Sequence, residues 1–151
     1  MGELWASYGG QLWRAMLIAA GGRRDLADDV TAEAFARLLA HYDAVREPQA
    51  WLYRTGYRLL MDEYRRQRRL GERPAEQAVA AAAELDPELV GALATLAPNA
   101  RLCVFLHYYA DMPISEIARL TGTTKTTVRV RLHRARTQLR VMLSDAGSVH
   151  A

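Results

Sequence analysis

Pro113-Ile-Ser-Glu-Ile-Ala-Arg-Leu-Thr-Gly-Thr-Thr-Lys-Thr-Thr-Val-Arg-Val-Arg-Leu-His-Arg-Ala-Arg136 is the stretch whose reading decides the fold. Pro113 followed by Ser115 and Glu116 is a helix start, and Thr121-Gly122 is a stop, because glycine takes the left-handed conformation that ends a helix. A second helix then begins at Thr123/Thr124. Its apolar positions Val128, Leu132, Ala135 and Leu139 recur at spacings of 4, 3 and 4, which puts them on one helical face. The opposite face is left to Thr124, Lys125, Thr127, Arg129 and Arg131. A short helix, a glycine turn and a basic helix make a helix-turn-helix, and those outward side chains suit the major groove. Arginine and lysine can meet guanine edges or phosphates, and threonine can meet phosphate or a thymine methyl.

Charge along the chain supports this reading. The 151 residues carry a net charge of only +3. Between Thr123 and Arg140, however, six residues are basic and none is acidic, and residues 54–73 hold seven arginines against Asp62, Glu63 and Glu72. Two cationic segments are therefore set in an otherwise acidic chain, the pattern of a protein that meets a polyanion at two places.

The rest reads as helix. Alanine, leucine and arginine dominate, and no alternating β-branched run appears. Leu4, Tyr8, Leu12 and Ala15/Met16 mark a first helix that contains Gly9-Gly10 and ends at Gly21-Gly22. Asp25 is the expected N-cap of a second, with an apolar stripe of Ala27, Val30, Ala34, Leu38 and Tyr42 and with Phe35 and Leu39 beside it. Pro48 opens a third, which runs through Trp51, Leu52, Leu59 and Tyr64 to about Leu70. On it Tyr53, Tyr57 and the other aromatics alternate with arginines, a mixture that holds single-stranded nucleic acid in some proteins and packs a core in others. The alanine-rich stretch after Gly71 is poor in large apolar side chains and reads as a linker. Helix starts follow at Asp86-Pro87-Glu88 and Pro98. The expected architecture is all-α: two small helical domains, 1–70 and 86–143, joined by a flexible linker, 71–85, with a tail, 144–151.

Several function classes are excluded. A single cysteine rules out a disulfide framework, and Cys103 lies in an apolar run, as a buried thiol does. The four histidines are dispersed, no phosphate-binding loop or metal-ligand spacing appears, and neither cofactor nor enzymatic activity is expected. No apolar run approaches a bilayer span and the N-terminus lacks signal-peptide character, so a cytoplasmic location without membrane insertion is expected. A stand-alone helix-turn-helix regulator is the alternative, but such proteins usually add a dimerisation or ligand module, and no such motif is found.

A family resemblance joins these pieces. Leu26-Ala-Asp-Asp-Val-Thr-Ala-Glu-Ala-Phe35, and Ala50-Trp-Leu-Tyr-Arg54 with Leu59, Asp62 and the arginine cluster, resemble region 2 of bacterial extracytoplasmic-function sigma factors. Leu93-Ala-Thr-Leu-Ala-Pro-Asn-Ala-Arg101, Tyr108-Tyr109, Ile114-Ser-Glu-Ile-Ala118 and Thr127 to Arg136 resemble region 4. The resemblance implies an alternative sigma factor. Region 2 would dock on the clamp helices of core RNA polymerase through Asp28, Asp29, Glu33 and Phe35. It would open the minus-10 element of promoter DNA with the loop bearing Asp43, Arg46 and Gln49, and with Arg54, Arg58, Asp62, Arg65 and Arg66. Region 4 would read the minus-35 element through Thr124, Lys125, Thr127, Arg129, Val130, Arg131 and Arg134, and touch the polymerase flap. Family members are often held inactive by an anti-sigma factor.

Val130 stands where the family commonly has a small polar residue, as Arg58 does for an asparagine. A valine in the groove can make only apolar contact, so a thymine methyl is expected opposite it. Selection of binding sites from a random duplex library with Val130→Ser is expected to lose that thymine preference, and an unchanged preference would refute the assignment.

Overall fold

The computed structural model describes residues 2–71 and 91–150. The chain starts with α1 (Gly2–Leu4), passes through a π-helical turn, Trp5–Gly9, and continues as α2 (Gly10–Ala19). Gly9 is required there: a Cβ on it would lie 2.8 Å from the Trp5 ring, which rests over the backbone and packs on Phe35 with ring centroids 4.9 Å apart. The run Ala15 to Ala20 is buried on every side. A helix without a polar face needs cover all round, and α2 obtains it from α3 (Arg24–Ala40), α4 (Pro48–Arg69) and α5 (Pro98–Tyr108). Gly56 of α4 sits against Met16 and Leu12, so the two helices approach closely. At Gly21 and Gly22, both with positive φ, amides donate back to Ile18 and Leu17 and close α2.

The last two helices are α6 (Ile114–Thr121) and α7 (Lys125–His150). Between them Gly122 takes φ 68°, Gly122 N–H donates to Arg119 O and Thr123 N–H to Ala118 O. The Thr124 hydroxyl then accepts the Thr127 N–H at 3.1 Å, capping α7. As the spacing predicts, Val128, Leu132, Ala135 and Leu139 are buried, against α5 and α6. The N-terminal unit (α1 to α4) and the C-terminal unit (α5 to α7) pack on each other, α2 against α5 and α4 against α6, and their cores are continuous.

Several expectations change. Helix α3 starts at Arg24 with Arg23 in extended conformation and no side-chain cap, and Asp25 falls in its first turn, where its charge suits the helix dipole. Leu39 and Tyr42 are exposed, because α3 meets its neighbours along only one stripe and the chain leaves the α-helix at Ala40 for a 3-10 turn, Tyr42–Ala44. Of the two readings left open for the aromatics of α4, core packing holds: Tyr53 and Tyr64 are buried, and Trp51 and Tyr57 are half-buried against the core. Helix α7 continues past Leu143 to His150. The expected linker after Gly71 and the helix start at Asp86 lie outside the described residues.

Glu63 ties α4 together and toward α3. Its carboxylate accepts from Arg66 at 2.6 and 3.0 Å and from Gln67 at 3.0 Å, and Gln67 in turn accepts from Arg23. The Arg66 hydrogen bond, stronger than the opposing effect of burial, holds the Glu63 pKa below its ordinary 4.5. A lowered folded pKa means that the contribution is complete above about pH 4.5 and is lost as pH falls through the folded value. Glu63→Gln is therefore expected to cost about 0.2–1 kcal/mol at pH 7 and progressively nothing in acid, as measured by denaturation across pH. Gly122→Ala forces a Cβ into the left-handed region and is expected to cost about 1–2 kcal/mol, seen as a lower thermal midpoint.

Candidate nucleic-acid interface

Helix α7 presents a cationic edge. Lys125, Arg129, Arg134, Arg136 and Arg140 are exposed, and the acid-free sequence between Thr123 and Arg140 leaves that edge without internal neutralisation. Val130 stands among them at 41% exposure, an apolar side chain on an otherwise polar face. Thr124 is exposed, but its hydroxyl is engaged in the cap and bonded to the Thr127 hydroxyl at 2.9 Å. Arg136 donates to the Tyr108 hydroxyl at 3.0 Å, which restrains its side chain.

Arg131 behaves differently from its neighbours. It is half-buried, and its Nη1 is shut from solvent with no hydrogen-bond partner. It lies beside Cys103 of α5 and Tyr57 of α4. Burial raises the pKa of the Cys103 thiol, and the Arg131 charge and hydrogen bond pull against that rise. Burial likewise raises the Tyr57 phenol, opposed first by Arg131. The thiol is thus a buried, neutral group, as its apolar sequence context predicts.

On α4, the arginine cluster is partly neutralised from within. Arg65 pairs with Asp62 and Arg66 with Glu63, each three residues back. Spacing could have revealed these pairs, since residues three apart face each other on a helix. Arg58, Arg65, Arg66, Arg68 and Arg69 are exposed and Arg54 is half-buried. Asp43 lies exposed in the 3-10 turn and Arg46 is exposed in the loop before α4. The Gln49 side chain donates to Gln11 of α2 at 3.1 Å. That loop forms one wall of a cleft of about 530 Å³ between the two units, with Arg46, Gln49 and Tyr53 on one side and Asp111, Met112 and Glu116 on the other. Asp111 holds φ 52°, and the turn around it is tied by Met112 N–H to Leu106 O and by an N···O contact of 3.2 Å between His107 Nδ1 and the Met112 carbonyl.

A separate acidic surface lies on α3. Asp28, Asp29 and Glu33 are exposed; Asp28 accepts from the Trp13 indole at 2.7 Å, and Glu33 pairs with Arg37 at 2.9 Å. A shallow depression of about 290 Å³ beside them is lined by Arg23, Asp29, Glu33, Leu59 and Glu63. Phe35 departs from the expectation of a surface contact: it is 2% exposed beneath Trp5, on the far side of the helix from Glu33. The contacts of Gln11, Trp13 and Tyr57 with these surfaces were not legible in the sequence, because they join residues remote in the chain.

Among the described residues no group of histidine, cysteine, aspartate and glutamate could hold a metal ion, and no helix is long and apolar enough to cross a membrane. The family model for sigma-70 region 2 matches residues 4–70, and that for sigma-70 region 4 matches residues 87–139. The RNA polymerase sigma factor SigV of Bacillus subtilis is 28% identical over 129 residues, 80% of this chain and 78% of that protein. The ECF RNA polymerase sigma factor SigE of Mycolicibacterium smegmatis is 28% identical over 97% of this chain but is longer, the match spanning 62% of its length. The fold is similar to that of the sigma factor RpoE of Bartonella quintana, solved in complex with the anti-sigma factor NepR. The TM-score is 0.74 at 23% identity, over 87% of this chain and 89% of that one. With two helical units matching region 2 and region 4 in order, and with a basic recognition helix in the second, the chain belongs to the extracytoplasmic-function family of RNA polymerase sigma factors.

Proposed function

We propose that this chain is an alternative sigma factor that binds core RNA polymerase and directs it to its promoters, acting in the cytoplasm without catalysing a reaction itself. The observation that carries the reading is the exposed, acid-free cationic edge of α7 on a helix-turn-helix whose turn is fixed by Gly122. In this reading Lys125, Arg129, Val130 and Arg134 meet the minus-35 duplex, with Thr124 and Thr127 at the helix tip. Backbone phosphates supply most of the affinity and the few base contacts supply the choice of sequence. Arg54, Arg58, Asp62, Arg65 and Arg66 run along the minus-10 element, and Asp43, Arg46 and Gln49 take an unstacked base.

Asp28, Asp29 and Glu33 offer the polymerase clamp an acidic face, and the C-terminal unit meets the flap. Phe35 supports that face from beneath, since its burial under Trp5 fixes the rotation of α3. Two weak DNA-reading units on one polymerase gain avidity, because binding of the first raises the effective concentration of the second. An anti-sigma factor is a fitting regulator, as the Bartonella relative was solved with one. A stand-alone regulator is not favoured, because the match extends through region 2 as well as region 4.

Run-off transcription from a promoter library, with core polymerase in the presence and absence of this protein, tests the reading. Transcripts that appear only with the protein are expected, at least tenfold above background. Their absence would sink it.

A further inference from the structure

We propose that Arg136, held at the surface by the Tyr108 hydroxyl, is a further phosphate contact of the recognition helix, and that Tyr108 is its positioning residue. The duplex it meets is that of the sigma-factor reading, on which the proposal rests. The brace itself rests on geometry.

Arg129 and Arg136 lie seven residues apart, so they share one face of α7, with Lys125 one turn before the first and Arg140 one turn beyond the second. All four are exposed. Seven residues of helix rise about 10 Å, and the major groove of B-DNA is about 8.5 Å deep. A helix that carries Arg129 to the base edges with its first turns therefore leaves Arg136 at the lip of the groove, where the phosphates stand. Arg140 lies about 6 Å further along the axis, beyond that lip.

Arg136 is held in place there from the neighbouring helix. Tyr108 ends α5, its side chain is 46% exposed, and its hydroxyl accepts from Arg136 Nη1 at 3.0 Å. The tyrosine has a firm base: the His107 ring stands edge-on to it with centroids 4.8 Å apart, and His107 Nδ1 lies 3.2 Å from the Met112 carbonyl. The turn that follows is closed by Met112 N–H donating to Leu106 O at 2.8 Å, with Asp111 at φ 52°.

The chemistry of the partner matters. A phenol hydroxyl is neutral, so it takes one of the five N–H donors of the guanidinium and leaves the charge and the other donors for an anion. A carboxylate would hold the arginine harder and cancel the charge that a phosphate needs, as Asp62 and Glu63 do for Arg65 and Arg66 on α4. No acid lies between Thr123 and Arg140. A long side chain loses rotamer freedom when an interface immobilises it, and one already held loses less. Tyr108 thus aims Arg136 before DNA arrives.

The full chain, bound to core RNA polymerase, is titrated with a labelled duplex that the parent holoenzyme recovers from a random library, over about 50–200 mM salt. Arg136→Ala is expected to weaken binding about tenfold and to make the slope of log K against log salt shallower by about one. Tyr108→Phe keeps the ring and the arginine charge, and is expected to weaken binding roughly threefold with the slope unchanged. In the Arg136→Ala background, Tyr108→Phe is expected to add nothing. Thermal midpoints of the three variants are expected to match the parent. A salt slope unchanged by Arg136→Ala overturns the phosphate contact. Equal weakening by Tyr108→Phe with and without Arg136 overturns the positioning role, as does a fall in thermal midpoint that accounts for the loss. If the parent holoenzyme recovers no duplex, the sigma-factor reading falls and the phosphate contact with it.

Discussion

The structure depends on the burial of one segment, Ala15 to Ala20, which has no polar side chain on any face. An amphipathic helix can lie on a core and leave one side in water; this one cannot. Helices α3 and α4 cover two sides, and α5, from the other unit, covers the third. The demand for cover is thus met only when the two halves of the chain come together. Each half alone is near the size at which a single core is marginal, which makes the shared packing a large part of what both have.

Charge is handled in two ways on the two basic helices. On α4, Asp62 and Glu63 stand one turn before Arg65 and Arg66 and hold them as local pairs, so the cluster is orderly in the absence of any ligand. Such exposed pairs contribute little stability and part readily when a polyanion offers better partners. Between Lys125 and Arg140 of α7 no acid is available, and Tyr108, by accepting from Arg136, restrains one arginine of the cationic edge. The arginines of α4 are thus held in local pairs, whereas the basic residues of α7 up to Arg140 have no acid on their own helix face to pair with.

Much of this was legible in the sequence where the signal was local. The spacing of Val128, Leu132, Ala135 and Leu139 gave the buried face of α7, Gly122 the turn, Pro48 and Pro98 the helix starts. What was not legible depends on partners distant in the chain. Periodicity places Arg131 on the outer face of α7 but cannot say that Tyr57 of α4 lies beside it. It places Leu39 beside the apolar stripe but cannot say that α3 has neighbours along only one line. By propensity alone Gly9-Gly10 weakens the first helix, whereas in the fold Gly9 admits the Trp5 indole, which packs on Phe35.

The length of α7 has a mechanical consequence. Its 26 residues form a rod of about 39 Å, with Lys125, Arg129, Val130 and Arg134 in its first three turns and the exposed Val141 about two thirds of the way along. A rod is a lever. Tilting it by about 10° about its far end displaces its tip by roughly 7 Å, which is about two base steps along a strand. A load applied near the far end of the helix can thus move the tip without touching any residue there.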